Sequence, residues 1–180
     1  FYTRFRARQL TREKGWVLQE DSGRGYRMVV PSPQPKSVLG IDGAQVLSRL
    51  GYVVIVGGGG GVPVARSPLG RLTGVEAVID KDFTAQLIGE KVGAERFILV
   101  TDVPEVRIHF GTPEEKPLRH VTVEEMIAYE REGHFPPGSM GPKIRAAIAF
   151  LRSGGTDVLI TSPPCIGDAL IGKSGTRISG

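Results

Sequence analysis

The sequence predicts an α/β fold, a mostly parallel sheet covered on both faces by helices, with a small helix-and-hairpin piece at the N-terminus. Three observations predict it. Short apolar runs of strand type alternate with stretches of helical periodicity through most of the chain. Tyr52–Val56 and Asp157–Thr161 are near-continuous apolar runs, as strands buried inside a parallel sheet require. Between them, Gly74–Val103 reads as one βαβ unit. Its first strand, Val75–Ile79, stops at Asp80-Lys81-Asp82, where the period changes. Phe83, Leu87, Ile88 and Lys91 then sit three to four apart, with Ala85 and Val92 filling the same side of a helix that Gly93 ends. Phe97–Val100 is the second strand, closed by Thr101 and Asp102. Ligands of open α/β sheets bind at the carboxyl ends of strands, where these charges lie.

The remaining elements follow in order. Thr3–Lys14 reads as a helix stopped by Gly15, and Trp16–Glu20 with Arg27–Val30 as a hairpin around the Asp21–Gly25 loop. Pro31, Pro33 and Pro35 form a stiff linker, so residues 1–31 are expected to be a separate piece and 32–180 the main α/β domain. Ser37–Leu50 is helical in pattern, with Gly51 as its stop. Gly57–Gly61 follows the Tyr52–Val56 strand, and Ala65–Thr73 reads as a polar, exposed connection. A short strand is expected at Val106–Phe110, then a loop through Pro113 and Pro117 and a helix at Val123–Arg131. A glycine- and proline-rich turn at Gly133–Pro142 leads into a helix at Lys143–Arg152, with Ile144, Ala147, Ile148 and Leu151 on one face. Asp157–Thr161 is the last clear strand.

Composition narrows the classes. With 180 residues the chain forms one domain, or one and an appendage, and buries roughly 70% of its unfolded surface. No apolar run approaches the ~18 residues of a membrane span, and residues 1–14 lack the apolar core of a secretory signal. A soluble, cytoplasmic protein is expected, and because the sequence begins with Phe1, a fragment of something longer. Cys165 is the single cysteine, which excludes an intramolecular disulfide and fits a reducing cytosol. The net charge of +4 is concentrated in residues 1–30, where seven basic residues face three acidic ones. Phe1, Tyr2 and Phe5 interleave that run only faintly, so a solvated helix face is expected there and no nucleic-acid partner.

Three motifs point to an anionic ligand. The glycines 57–61 place a backbone without side chains at the carboxyl edge of a strand, where peptide N–H groups can approach an anion or a planar ligand. No helix starts directly after them, because Val62-Pro63-Val64 intervenes, so they are not a dinucleotide fingerprint. Lys81 stands at a helix N-terminus, the wrong sign for the macrodipole. Asp80 or Asp82 could cap that helix and neutralise the lysine; alternatively Lys81 faces a phosphate that Asp82 helps to orient. In Gly138-Ser-Met-Gly-Pro-Lys143, Pro142 suits the first helical position and Lys143 falls in the first turn, a second lysine of the wrong sign. A bound phosphate would resolve both conflicts. Gly167–Ser174 fits the string G-x-x-x-x-G-K-S, yet only six residues follow and no long helix fits there, so it is a coincidence. His109, His120 and His134 lack metal-ligand spacing, and no G-x-S-x-G elbow is present.

These segments together resemble the carbamate kinases of the amino-acid kinase superfamily. The matching stretches are Phe-Tyr-Thr (1–3), Arg-Gly-Tyr-Arg with Val-Val-Pro-Ser-Pro (24–33), the glycine run with Val62-Pro63, and Gly-Val-Glu-Ala-Val-Ile-Asp-Lys-Asp (74–82). Thr-Asp-Val (101–103), Glu-Gly-His-Phe (132–135) and Gly-Ser-Met-Gly-Pro-Lys (138–143) complete the set. The resemblance implies an αβα sandwich, a homodimer, and phosphoryl transfer between carbamoyl phosphate and ADP, giving ATP and carbamate in arginine fermentation. It implies that Lys81 and Lys143 neutralise the phosphoryl group in transit while Asp82 holds them. Gly58, Gly59, Thr101, Asp102, Val103, Phe110, Met140, Gly141 and Pro142 would line the ATP/ADP site, with Mg²⁺ held largely by the phosphates. Residues 1–31 resemble the back half of the family's protruding subdomain.

The sequence departs from the family in two respects. The family's Gly-Gly-Asn phosphate loop and much of its carbamate site have no counterpart, so this chain is expected to supply the nucleotide half of a site and to be inactive alone. By the adenine, His109-Phe110-Gly111-Thr112 stands where the family has Asn-Tyr-Gly-Lys. Alternatives are a kinase of this fold with another small acceptor, or a non-catalytic remnant that dimerises or binds nucleotide; a dinucleotide oxidoreductase ranks last. Missing sheet neighbours are expected to leave an edge or apolar face exposed.

Overall fold

The computed structural model describes residues 1–21, 23–135 and 138–180. Ser22 of the first hairpin loop, and Pro136 and Pro137 of the glycine- and proline-rich turn, lie outside the described residues. The chain divides into two compact units: Phe1–Pro33 with Val62–Ile79, and Gln34–Gly61 with Asp80–Gly180.

In the first unit, α1 (Arg4–Lys14) forms where the sequence places it. The Thr3 hydroxyl accepts from the Arg6 N–H at 3.3 Å, and Gly15, at φ 68°, ends the helix. The strands β1 (Leu18–Glu20) and β2 (Tyr26–Met28) pair antiparallel. A second hairpin, β3 (Val64–Arg66) with β4 (Leu72–Gly74), occupies the stretch expected to be a loose connection. Its turn is closed by Ser67, whose carbonyl accepts from the Gly70 N–H and whose hydroxyl accepts from the Arg71 N–H. The strand expected at Val75–Ile79 does not form. That stretch makes isolated bonds instead, Val75 N–H to the Pro63 carbonyl and Val78 N–H to the Pro31 carbonyl, and prolines cannot donate the bonds a ladder needs in return.

The second unit holds a four-stranded sheet in the order β5 (Arg96–Val100), β9 (Asp157–Thr161), β10 (Thr176–Ser179), β8 (His120–Thr122). β5–β9 and β8–β10 are parallel and β9–β10 antiparallel, so the sheet is mixed and mostly parallel. Both β8 and β10 escape sequence reading because each is short and flanked by polar residues. A two-stranded ribbon, β6 (Arg107–Ile108) with β7 (Lys116–Pro117), stands apart. The helices are α2 (Ile41–Arg49), α3 (Lys81–Val92), α4 (Val123–Arg131), α5 (Met140–Arg152) and α6 (Ile166–Leu170). α2 starts later than expected because Gly40 sits at φ 74°, outside helical space.

The core lies between the sheet and α5. Ile144, Ala147, Ile148 and Leu151 are all buried, as their spacing predicts, and the Phe150 ring packs against Phe97 at 5.3 Å between centroids. The buried positions of α3 differ from those expected: Asp82, Thr84, Gln86 and Gly89 are buried, while Phe83 and Ala85 pack only partly against the core. Asp82, Gln86 and Gly89 still share one helical stripe, but polar contacts fill it. Gly89 is small because a Cβ there would stand 3.0 Å from the Phe150 ring.

The strand expected at Tyr52–Val56 also pairs with nothing among the described residues, and Val53 and Ile55 are 96% and 97% exposed. An open edge and exposed apolar residues, as the sequence leads one to expect, are present among the described residues: β5 ends the sheet, and no described strand pairs with its outer side.

Candidate functional site

All the residues singled out as a possible site belong to the second unit. α3 begins at Asp80, whose Oδ1 accepts from the Asp82 N–H at 2.8 Å. Asp80 is thus the cap, and Asp82 is free for another task. Its Oδ2 receives the Lys143 ammonium at 2.9 Å, with the two side chains 9% and 12% exposed. The structure therefore ties the first turn of α3 to the first turn of α5 through one buried ion pair. Lys81 occupies the first position of α3, exposed and without an ion pair among the described residues.

α5 starts three residues before the position the sequence suggests, so Pro142 is its third residue and Lys143 its fourth. Pro142 is tolerated there because the first four N–H groups of a helix have no intrahelical partner. Gly141 is buried, and Met140 packs against the core. Ser139 makes no side-chain cap bond, so among the described residues no side chain caps the start of α5.

The glycine run folds against α3. Thr84 Oγ1 donates to the Gly60 carbonyl at 2.8 Å, and a Cβ at Gly57 would come within 3.0 Å of Ile88 Cδ1. Gly57, Gly58, Gly60 and Gly61 all have positive φ, which explains why side chains are excluded there. Gly58 and Gly59 are exposed, with open space where a Cβ would stand. Thr84, which the sequence did not single out, is the residue that fixes this loop.

Thr101, Asp102 and Val103 follow the carboxyl end of β5. The Thr101 N–H donates to the Thr161 carbonyl at 2.8 Å, and the Thr101 hydroxyl to Asp102 Oδ1 at 3.0 Å. Thr161, at the matching end of β9, is fully buried, and its hydroxyl has no partner among the described residues. An orphaned hydroxyl at this end of the sheet carries no pattern that a sequence could reveal.

Phe110 stands on the turn between β6 and β7, 67% exposed. His109 beside it has φ 53°, the single positive value at a non-glycine among the described residues. The Glu115 carboxyl is held below its ordinary range by the Gly111 N–H and then by the Arg107 guanidinium, whose own proton is held more tightly in return. His109 and His134 meet edge to face at 4.4 Å, and among the described residues no His, Cys, Asp or Glu group forms a metal cluster. Gly172-Lys173-Ser174 leads into the strand β10, not a helix, so this stretch is not a phosphate loop.

The pattern of the amino acid kinase family matches residues 4–162, and the chain belongs to that family. Within it, the chain is 47% identical over 178 residues to carbamate kinase from Pyrococcus furiosus, covering 99% of this chain and 56% of that protein. It is also 47% identical over 163 residues to the carbamate kinase-like protein YahI of Escherichia coli, covering 91% of this chain and 52% of that protein. Carbamate kinase from Giardia lamblia bound to AMP-PNP superposes with a TM-score of 0.88 at 40% identity, covering 99% of this chain and 57% of that one. The chain thus spans a little over half the length of these relatives. Among the described residues, no helix is long and apolar enough to cross a membrane.

Proposed function

We propose that this chain is the C-terminal, nucleotide-binding portion of a carbamate kinase, transferring a phosphoryl group between carbamoyl phosphate and ADP within an αβα sandwich that dimerises. The Asp82–Lys143 pair carries the reading, because it sets an ammonium at the start of α5 on the helix whose first turn holds the glycine run. Lys143 uses one of its three N–H donors on Asp82, leaving two for phosphate oxygens. The amides of Met140 and Gly141 add donors of the same kind, and Gly58 and Gly59 let a phosphate approach the backbone closely.

In the reaction, the bond from phosphorus to the carbamoyl oxygen breaks as a bond to the terminal ADP oxygen forms, and no proton need move. The chain's task is positioning and charge neutralisation. Lys143 and Lys81 offset negative charge on the transferring oxygens, and Asp82 keeps Lys143 aimed. Thr101–Val103 and Phe110 line the nucleoside end. Mg²⁺, held largely by the phosphates, would supply further neutralisation. Residues 1–31 are read as part of the protruding subdomain, and 32–180 as the nucleotide domain.

Calorimetric titration with Mg-ADP tests the proposal. Binding by the wild-type chain that falls at least tenfold in Lys143→Ala, about 1.4 kcal/mol or more, is the expected result. No binding by the wild-type chain, or equal binding by a folded variant, contradicts it.

A further inference from the structure

The proposed function puts Phe110 at the nucleoside end without accounting for what holds it there. A large aromatic side chain lies 67% exposed on a turn whose backbone is tied down at almost every position. The Gly111 N–H donates to Glu115 Oε2 at 2.8 Å. The Thr112 N–H and hydroxyl both donate to the His109 carbonyl, at 3.1 and 2.8 Å. The Glu114 N–H donates to the Thr112 hydroxyl, and the Glu115 N–H to the Thr112 carbonyl.

The bonds continue beneath the turn. Arg107 reaches Glu115 Oε1 at 2.7 Å with one nitrogen and Glu105 Oε1 at 3.0 Å with the other. Arg119 approaches the second oxygen of that buried Glu105 at 3.2 Å. The buried Thr176 hydroxyl accepts from the Val106 N–H and donates to the Leu118 carbonyl, anchoring the foot of the ribbon to β10. A chain of bonds thus runs from a core strand through Glu105, Arg107 and Glu115 to the residue next to Phe110. Loops that serve only as connections are not usually built this way, and the apolar ring at the tip gains nothing from burial.

We propose that Glu115, held by Arg107, is a positioning residue that pre-forms the His109–Thr112 turn and presents Phe110 as a stacking platform for the purine base. The proposal rests on the nucleotide reading above. Two features support it. His109 adopts a left-handed conformation, uncommon for a residue other than glycine, and the Glu115 carboxylate is the acceptor that fixes Gly111, at φ 77°, immediately after the ring. Pre-ordering of this kind raises affinity by removing the entropic cost of ordering the platform on binding. Phe110 offers only a π face, so its placement carries the whole contact.

The test compares two ligands, Mg-ADP and Mg-pyrophosphate, by calorimetry. Stacking of a base on an aromatic ring is worth ~1–3 kcal/mol, so Phe110→Ala and Glu115→Ala should each weaken Mg-ADP about tenfold and leave Mg-pyrophosphate within about twofold. In the Phe110→Ala background, Glu115→Ala should then cost nothing further, because it acts through the ring. Glu115→Gln keeps an acceptor for Gly111 but loses the charge that pairs with Arg107, so its affinity should fall between wild type and Glu115→Ala. It also serves as the readout if the alanine variant does not fold, with a loss of about two- to threefold confined to Mg-ADP expected and no loss, or equal losses for both ligands, overturning the proposal. Equal losses for both ligands in Glu115→Ala, additive losses in the double variant, or unchanged Mg-ADP binding would overturn this inference alone. No binding of either ligand by the wild-type chain would overturn the nucleotide reading together with it.

Discussion

Removing the Lys143 ammonium should destabilise the second unit as well as weaken anion binding, and the size of the effect can be worked from the pair. Asp82 Oδ2 and Lys143 Nζ are 2.9 Å apart, with side chains 9% and 12% exposed. In Lys143→Ala the Asp82 carboxylate is left nearly buried without its counter-charge. Breaking such a pair from one side costs about 3–5 kcal/mol, much more than the pair itself contributes. For a chain of this size each kcal/mol lowers Tm by about 2–4 °C, so a fall of about 6–20 °C is expected. Differential scanning calorimetry reads it directly. Asp82→Asn with Lys143→Met removes both charges and should recover most of the loss, to within about 1–2 kcal/mol of wild type. A single variant that melts within about 2 °C of wild type would refute the reasoning, since it would mean that solvent already screens the pair.

Other perturbations act elsewhere. A Cβ at Gly155 would stand 2.1 Å from the ring of Phe150, which is 1% exposed and cannot yield, so Gly155→Ala should lose about 1–3 kcal/mol in denaturant titration. Thr122 caps α4 in a reciprocal box with Glu125, and Thr122→Ala should lose about 1 kcal/mol by the same assay. The Glu125 carboxyl is lowered from its ordinary 4.5 by the Thr122 N–H and then its hydroxyl, and Glu115 is lowered by Gly111 and Arg107. Both therefore add stability that is fully present above pH 4.5 and lost as pH falls through the lowered values, a loss that Glu125→Gln should reduce in acid titrations followed by circular dichroism. Ile55 is 97% exposed, so Ile55→Asp should change stability by less than about 0.5 kcal/mol while reducing self-association in sedimentation.

Much of the fold can be read from local chemistry. Helices with strong terminal signals, such as α1 with its Thr3 cap and Gly15 stop or α4 with its Thr122–Glu125 capping box, appear where the sequence puts them. β9, with Val158, Leu159 and Ile160 at its centre, is equally legible. Legibility fails where structure depends on a distant partner. Tyr52–Val56 has every local mark of a strand, yet strands exist only as pairs, and among the described residues no strand pairs with it. β10 shows the converse, since Thr176–Ser179 is weakly apolar but gains two neighbours, β9 and β8. In α3 the periodic apolar residues mislead because Asp82, Thr84 and Gln86 are satisfied by polar contacts inside the structure. The lysines at two helix starts are legible as electrostatic conflicts. The Asp82–Lys143 contact across 61 positions, the orphaned Thr161 hydroxyl and the Arg107–Glu115 support beneath Phe110 are not, because no local spacing encodes them.

The most direct measurement is an amide chemical-shift titration of the ¹⁵N-labelled chain with Mg-ADP. Shifts concentrated at Gly58–Gly61, Thr101–Val103, Gly111 and Met140–Lys143 are predicted, with Met140, Gly141 and Lys143 alone among them reporting on α5. Saturable shifts that avoid the glycine run and the start of α5, or none at all at millimolar nucleotide, would contradict a phosphate site built around Lys143.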